Sequence, residues 1–284
     1  MAPVQLTTVT RTQGNNQALK DGRVTTQGFR LDFREVPVLV HAFRRMVREL
    51  EFDVCEMAVT TYLCAKAHGK RFTALPIFLV RGFHHGAIVH STAAGIRTPT
   101  DLEGRLVGVS RGYTVTTGVW ARGILQDEYG VDLGRVTWMP SGDEHVAEYR
   151  PPANVVPLIP DAQEAGFAAL RRRGLYPINH LVVVRDDLLQ AHPGLATAVF
   201  DAFAAAKRHY VERLRAGAIE APTPTDLMYQ RVMELTGEDP LPYGIAPNRA
   251  MIEQLIGHAV RQRILDRPPA VTELFHESTH DLTA

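Results

Sequence analysis

The sequence predicts an α/β fold, and three observations carry that prediction. Apolar strand-like runs alternate with amphipathic helical segments over most of the chain. Gly, Pro and polar turns separate them. Ionisable residues gather where strand-like runs end, the place where ligands collect in an open α/β sheet. Such alternation gives a mostly parallel sheet. At 284 residues the chain suffices for one large domain or two lobes.

A first strand is predicted over 5–10, then a loop and short helix over 14–21. Phe29, Leu31 and Phe33 alternate at period two, giving a strand over 28–36. Pro37 opens a helix over 41–50, with Phe43, Met46, Val47 and Leu50 on one face. Strands over 53–58 and 73–80 flank a further helical segment. After a composition break at 91–100 come a strand over 106–109, a helix over 118–129 stopped by Gly130, and a strand over 135–139. Residues 140–160 are Pro-rich with little periodicity. A helix over 162–173 and an apolar strand over 180–184 follow. Helices over 186–190, 193–215, 224–236, 247–263 and 270–275 complete the chain.

Composition is that of a globular protein, 45% hydrophobic and 22% charged. Lys plus Arg (31) equals Asp plus Glu (31), so no global field draws the chain to nucleic acid or an anionic membrane. The first residues lack the basic start and apolar run of a signal peptide, and no apolar run reaches the ~18 residues of a membrane span. The expectation is a cytoplasmic protein. Cys55 and Cys64 form no CxxC pattern, and two buried free thiols are expected.

The densest chemistry lies between 52 and 88. Glu56, Thr60, Arg81, His84 and His85 fall at strand ends, a mix of acid, base and cation suited to a small anion. Asp53 and Glu56 lie three apart, so on a strand they point to opposite faces, and Glu56 is the candidate for chemistry. Adjacent His84 and His85 also point apart unless the chain turns, so one in the site and one packed is the expectation. A histidine there can deliver a proton near neutral pH, and Arg81 can clamp a carboxylate. Arg111, Thr114, Thr116 and Thr117 sit at a strand-to-helix turn whose free N–H groups suit an anion. An ordinary Thr N-cap is the alternative reading there. Asn179 and His180 open a strand, and Tyr243 is a candidate wall, with Asn248 and Arg249 structural. His84, His85, Glu56 and His180 include metal-ligand types, so a divalent metal stays open. None has an i, i+4 or HExxH arrangement, and no metal site is assigned.

Several motifs carry a resemblance. Phe52-Asp53-Val54 with Glu56, Tyr62-Leu63, Pro76-Ile77-Phe78 and Arg81-Gly82-Phe83-His84-His85 resemble the 4,5-dihydroxyphthalate decarboxylases. So do Ile96-Arg97-Thr98-Pro99-Thr100-Asp101-Leu102-Glu103-Gly104-Arg105-Leu106-Val107-Gly108-Val109 and Val119-Trp120-Ala121-Arg122-Gly123. Tyr176-Pro177-Ile178-Asn179-His180 and Pro242-Tyr243-Gly244-Ile245-Ala246-Pro247-Asn248-Arg249 complete the set, in the family's order from about 5 to 275.

The resemblance implies a type II periplasmic-binding-protein-like fold, two α/β lobes with a ligand cleft between them. Lobe 1 is expected to hold 1–89 and 183–284, and lobe 2 to hold 90–182. Lobe 2 departs from the family by lacking a helix and strand near 156–157. The implied activity is non-oxidative decarboxylation of a dihydroxylated aromatic dicarboxylate, without organic cofactor. Arg81 and the Arg111–Thr117 turn would hold carboxylates, His84 or His85 would be the acid, and Glu56 or His180 would steer the phenolic proton. The expected partner is a small aromatic carboxylate, with a homo-oligomer left open. The rival readings are a non-catalytic anion-binding protein of transport or sensing, and another enzyme on this scaffold such as those of menaquinone synthesis.

Overall fold

The computed structural model describes residues 3–141 and 155–284. Two compact units emerge: residues 1–81, 178–253 and 267–284 form the first, and 82–177 with 254–266 the second. The first boundary therefore falls at 81/82, and 254–266 group with the second unit.

Unit 1 is built on a five-stranded sheet in the order β2-β1-β3-β9-β4. Strand β1 (Val4–Val9) pairs in parallel with β2 (Phe29–Phe33) and β3 (Val54–Ala58). Strand β9 (Ile178–Arg185) runs against both β3 and β4 (Phe72–Arg81), so the sheet is mixed. Four strands share one direction because helices link them, and β9 alone reverses. All five residues of β3 are buried, as expected for a central strand covered on both faces. The β4–β9 register slips between Leu75 and Val80, where Pro76 has no N–H to donate.

Helices α1 (Gly14–Lys20), α2 (Leu39–Glu49) and α3 (Val59–Ala67) alternate with the early strands. Leu39, Ala42, Phe43 and Met46 form the buried stripe of α2, at the spacing of one helix face. Further along unit 1, α6 (Asp186–Ala191), α7 (Leu195–Arg215) and α8 (Pro224–Thr236) follow β9. Thr223 and Asp226 close a capping box on α8, with Pro224 at its first turn. The chain divides between units within α9 (Arg249–Arg261), and the predicted helix over 270–275 is a 3-10 turn, Val271–Leu274.

Unit 2 has shorter strands. Strand β5 (Val89–Ser91) pairs antiparallel with β8 (Val155–Pro157), and β6 (Leu106–Ser110) pairs in parallel with β7 (Thr137–Ser141). Among the described residues these pairs remain separate sheets. Helices α4 (Thr116–Tyr129) and α5 (Ala162–Arg173) supply the core, with Trp120, Ile124 and Phe167 buried. Phe83 packs edge-on to Phe167 at 5.0 Å and against Tyr176 at 5.6 Å. Most of the aperiodic 140–160 stretch lies outside the described residues. Both cysteines are free, but only Cys55 is buried; Cys64 is half-buried because it faces outward from α3.

Candidate functional site

In unit 1, antiparallel pairing sets Glu56 of β3 opposite Val182 of β9, and Ala58 opposite His180. Glu56 and His180 are thus diagonal neighbours on one sheet face, within side-chain reach. Glu56 Oε1 lies 2.6 Å from His180 Nδ1. Oε2 accepts the Arg11 backbone N–H at 2.8 Å and a longer contact from Gln13 Nε2 at 3.5 Å. A fully buried carboxylate is tolerable only when held in this way. The His180 ring meets Phe43 edge-on at 5.3 Å. A carboxylate at Nδ1 fixes ring orientation and tautomer, leaving Nε2 for proton transfer.

Asp53 serves the strand ends instead, accepting the Thr7 N–H at 2.8 Å and facing Arg185 at 3.3 Å. Arg81 is buried, its Nη1 donating to Asn248 Oδ1 at 2.7 Å. Asn248 Nδ2 in turn donates to the Pro242 and Gly244 carbonyls at 2.8 Å. The Pro242–Asn248 motif therefore ties its loop to the end of β4. Gly244 has φ 106°, and a Cβ there would sit 2.3 Å from the Leu282 carbonyl oxygen. Tyr243, expected as a wall, is wholly buried, and burial pushes its phenol well above the ordinary range. Lys207 stands 5.2 Å from its ring centre, so this is a core position. Thr60 is also fully buried, on α3. Asn179 is half-buried beside His180, with Oδ1 meeting no hydrogen-bond donor among the described residues.

A cavity of about 450 Å³ in unit 1 is lined by Arg11, Gln13, His209, Arg213, Asp226 and Tyr229, among others. Neither His180 nor Glu56 is on its wall, although Arg11 and Gln13, which hold Glu56 Oε2, are.

Unit 2 holds the other sequence candidates. The chain turns at His84 into a 3-10 turn, His85–Ala87, and both histidines are buried. His85 Nε2 lies 3.3 Å from Glu128 Oε2, and Glu128 Oε1 lies 3.9 Å from Arg173. Arg111 adopts φ 66° and Gly112 φ 116° in the turn after β6. Left-handed backbone at Arg111 is costly for a residue with a side chain. Helix α4 begins at Thr116 with Val115 as N-cap and no side-chain cap, so the Thr-cap alternative is not what forms. Thr116 is buried, while Thr114 and Thr117 are half-buried. No group of three or more His, Cys, Asp or Glu among the described residues is placed to hold a metal ion. Arg122 stands in a quoted motif and is almost fully buried, a depth that its helical spacing does not reveal.

No family profile matches the chain. Solved structures define the class by fold. The alkanesulfonate-binding protein SsuA of Xanthomonas axonopodis pv. citri, bound to MOPS, superposes with TM-score 0.53 at 15% identity, covering 97% of this chain and 99% of that one. SsuA of Escherichia coli gives 0.55 at 10% identity, covering 97% and 92%. The chain has the periplasmic-binding-protein fold.

Sequence comparison is more particular. A 4,5-dihydroxyphthalate decarboxylase of Comamonas testosteroni is 27% identical over 285 residues, covering 84% of this chain and 86% of that protein. One of Pseudomonas putida is 34% identical over 103 residues, covering 36% and 40%. The chain is a homologue of proteins named 4,5-dihydroxyphthalate decarboxylase.

Proposed function

We propose that this protein is a non-oxidative decarboxylase of a dihydroxylated aromatic dicarboxylate such as 4,5-dihydroxyphthalate. The observation that carries the reading is the Glu56–His180 pair, joined at 2.6 Å on the central strands of unit 1. Homology to proteins named for this reaction supports it. The chemistry asks for one proton, delivered to the ring carbon that bears the departing carboxylate. A hydroxyl para to that carbon pushes electrons into the ring, and His180 Nε2 supplies the proton. The bond to the carboxylate then breaks, carbon dioxide leaves, its electron pair restores the ring, and solvent reprotonates His180. Glu56 orients the ring through Nδ1 and balances the charge of the imidazolium. His85 suits the donor role less well, being wholly buried with Nε2 facing Glu128. No organic cofactor enters this scheme.

The test is to incubate purified protein with 4,5-dihydroxyphthalate and follow carbon dioxide together with 3,4-dihydroxybenzoate. Formation of both in equal amounts is expected. Binding of the substrate without either product would move the assignment to an anion-binding role.

A further inference from the structure

Arg122 is the one charged group in the α4 core of unit 2 that meets only neutral partners among the described residues, and it borders a cavity. Its side chain is almost fully buried. Nε donates to Gln262 Oε1 at 2.8 Å, and Nη2 donates to the Tyr113 carbonyl at 2.5 Å. The guanidinium stacks 4.0 Å from the Tyr113 ring centre and stands 5.7 Å from that of Trp138. These contacts fix the fork in place but bring no negative charge. Nη1 is buried and has no hydrogen-bond partner among the described residues.

The cavity measures about 300 Å³ and is bounded by Arg122, Thr117 and Gly118, with apolar walls from Ile88, Val109 and Trp138. Gly118 sharpens the picture. Its backbone is ordinary helix, where alanine is the better residue. A Cβ at that position would come within 3.2 Å of Arg122 Nη1. Glycine thus keeps open the space beside the unpartnered N–H. The cavity also lies at the start of α4, where helix N–H groups favour an anion.

We propose that this cavity binds an aromatic carboxylate, its oxygen accepting from Arg122 Nη1 and its ring lying against the apolar walls and Trp138. Burial holds the Arg122 guanidinium down to about 10, only partly offset by Tyr113. The group stays cationic at neutral pH, and an incoming carboxylate supplies the missing counter-charge. The binding site does not depend on the decarboxylation reading, because it calls for no turnover.

The experiment is calorimetric titration with benzoate, with benzamide as the uncharged control. Wild-type protein should bind benzoate and not benzamide. Arg122→Gln should weaken benzoate binding at least tenfold. Gly118→Ala should weaken it at least fivefold while the unfolding midpoint stays the same or rises, because alanine favours the helix. Gly118→Ala decides the matter even if Arg122→Gln fails to fold. Absence of benzoate binding to the wild type, equal binding of benzamide, or wild-type affinity in folded Gly118→Ala would overturn the proposal. Absence of benzoate binding to a wild type that still decarboxylates would sink this site alone.

Discussion

The two units solve the same problem, burying charge in an α/β core, with different success. In unit 1 the sheet is continuous, and β3 at its centre is buried at every position. Glu56 therefore meets a histidine, a backbone N–H and an amide, all supplied by neighbouring segments. In unit 2 the strands form two separate pairs among the described residues, and Val89 and Leu106 are 54% and 61% exposed. Val89 of β5 and Val107 of β6 line the same cavity that Arg122 borders. Among the described residues, Glu56 is held on every side by its sheet, whereas Arg122 borders open space and meets no counter-charge. The Comamonas match extends over 285 residues yet takes in 84% of this 284-residue chain, so part of it falls opposite gaps in this chain.

The comparison is tested most severely at Glu56 and His180. Replacing either with Gln should lower kcat by ~10²–10⁴-fold, the usual scale of general acid–base catalysis, with KM little changed. His85→Gln should cost far less turnover; the reverse order in steady-state kinetics would transfer the chemistry to unit 2.

Next come paired charge insertions. Val54→Lys places an ammonium in the fully buried β3 and should cost more than about 4 kcal/mol or prevent folding. Leu106→Lys on exposed β6 should stay within about 0.5 kcal/mol of wild type. Equal losses in denaturant melts would erase the contrast between the units.

A smaller effect follows from His258, buried in unit 2 against Trp120 at 5.3 Å. Burial lowers its pKa to about 4, with Asp127 pulling the other way. The folded value lies below the unfolded one, so between about pH 6.5 and 4 the unfolded chain takes up the proton first. Stability is therefore full above that window and falls as pH drops through it, by roughly 3 kcal/mol. His258→Gln should flatten the melt-versus-pH curve there; an unchanged slope would contradict the assignment.

The smallest test concerns helix starts. Thr223→Ala removes the α8 cap and should cost about 1 kcal/mol, while Val115→Ser should stabilise α4 by a comparable or smaller amount. Both are read from unfolding midpoints.

Local pattern made much of the fold legible. Helix α5 runs Ala162–Arg173 as its composition predicts, and β3 and β4 fall within a residue of their expected bounds. Spacing also separated Asp53 from Glu56, because three residues along a strand reverse the face. What was illegible depends on register between distant segments. Glu56 and His180 are 124 residues apart, and only the antiparallel alignment of β3 with β9 makes them diagonal neighbours. Tyr243, in a Pro-bounded loop, reads as a site wall, but it is wholly buried with Lys207 against its ring. Arg122 sits mid-helix in a motif, but its hydrogen-bond partner Gln262 lies 140 residues on.

The most direct measurement is carbon dioxide release from 4,5-dihydroxyphthalate by wild type and His180→Gln in parallel, with both proteins shown to be folded. Release by wild type that falls at least a hundredfold in the variant is the predicted result. Equal release by both would contradict the role of the Glu56–His180 pair, and no release by either would contradict the proposed activity.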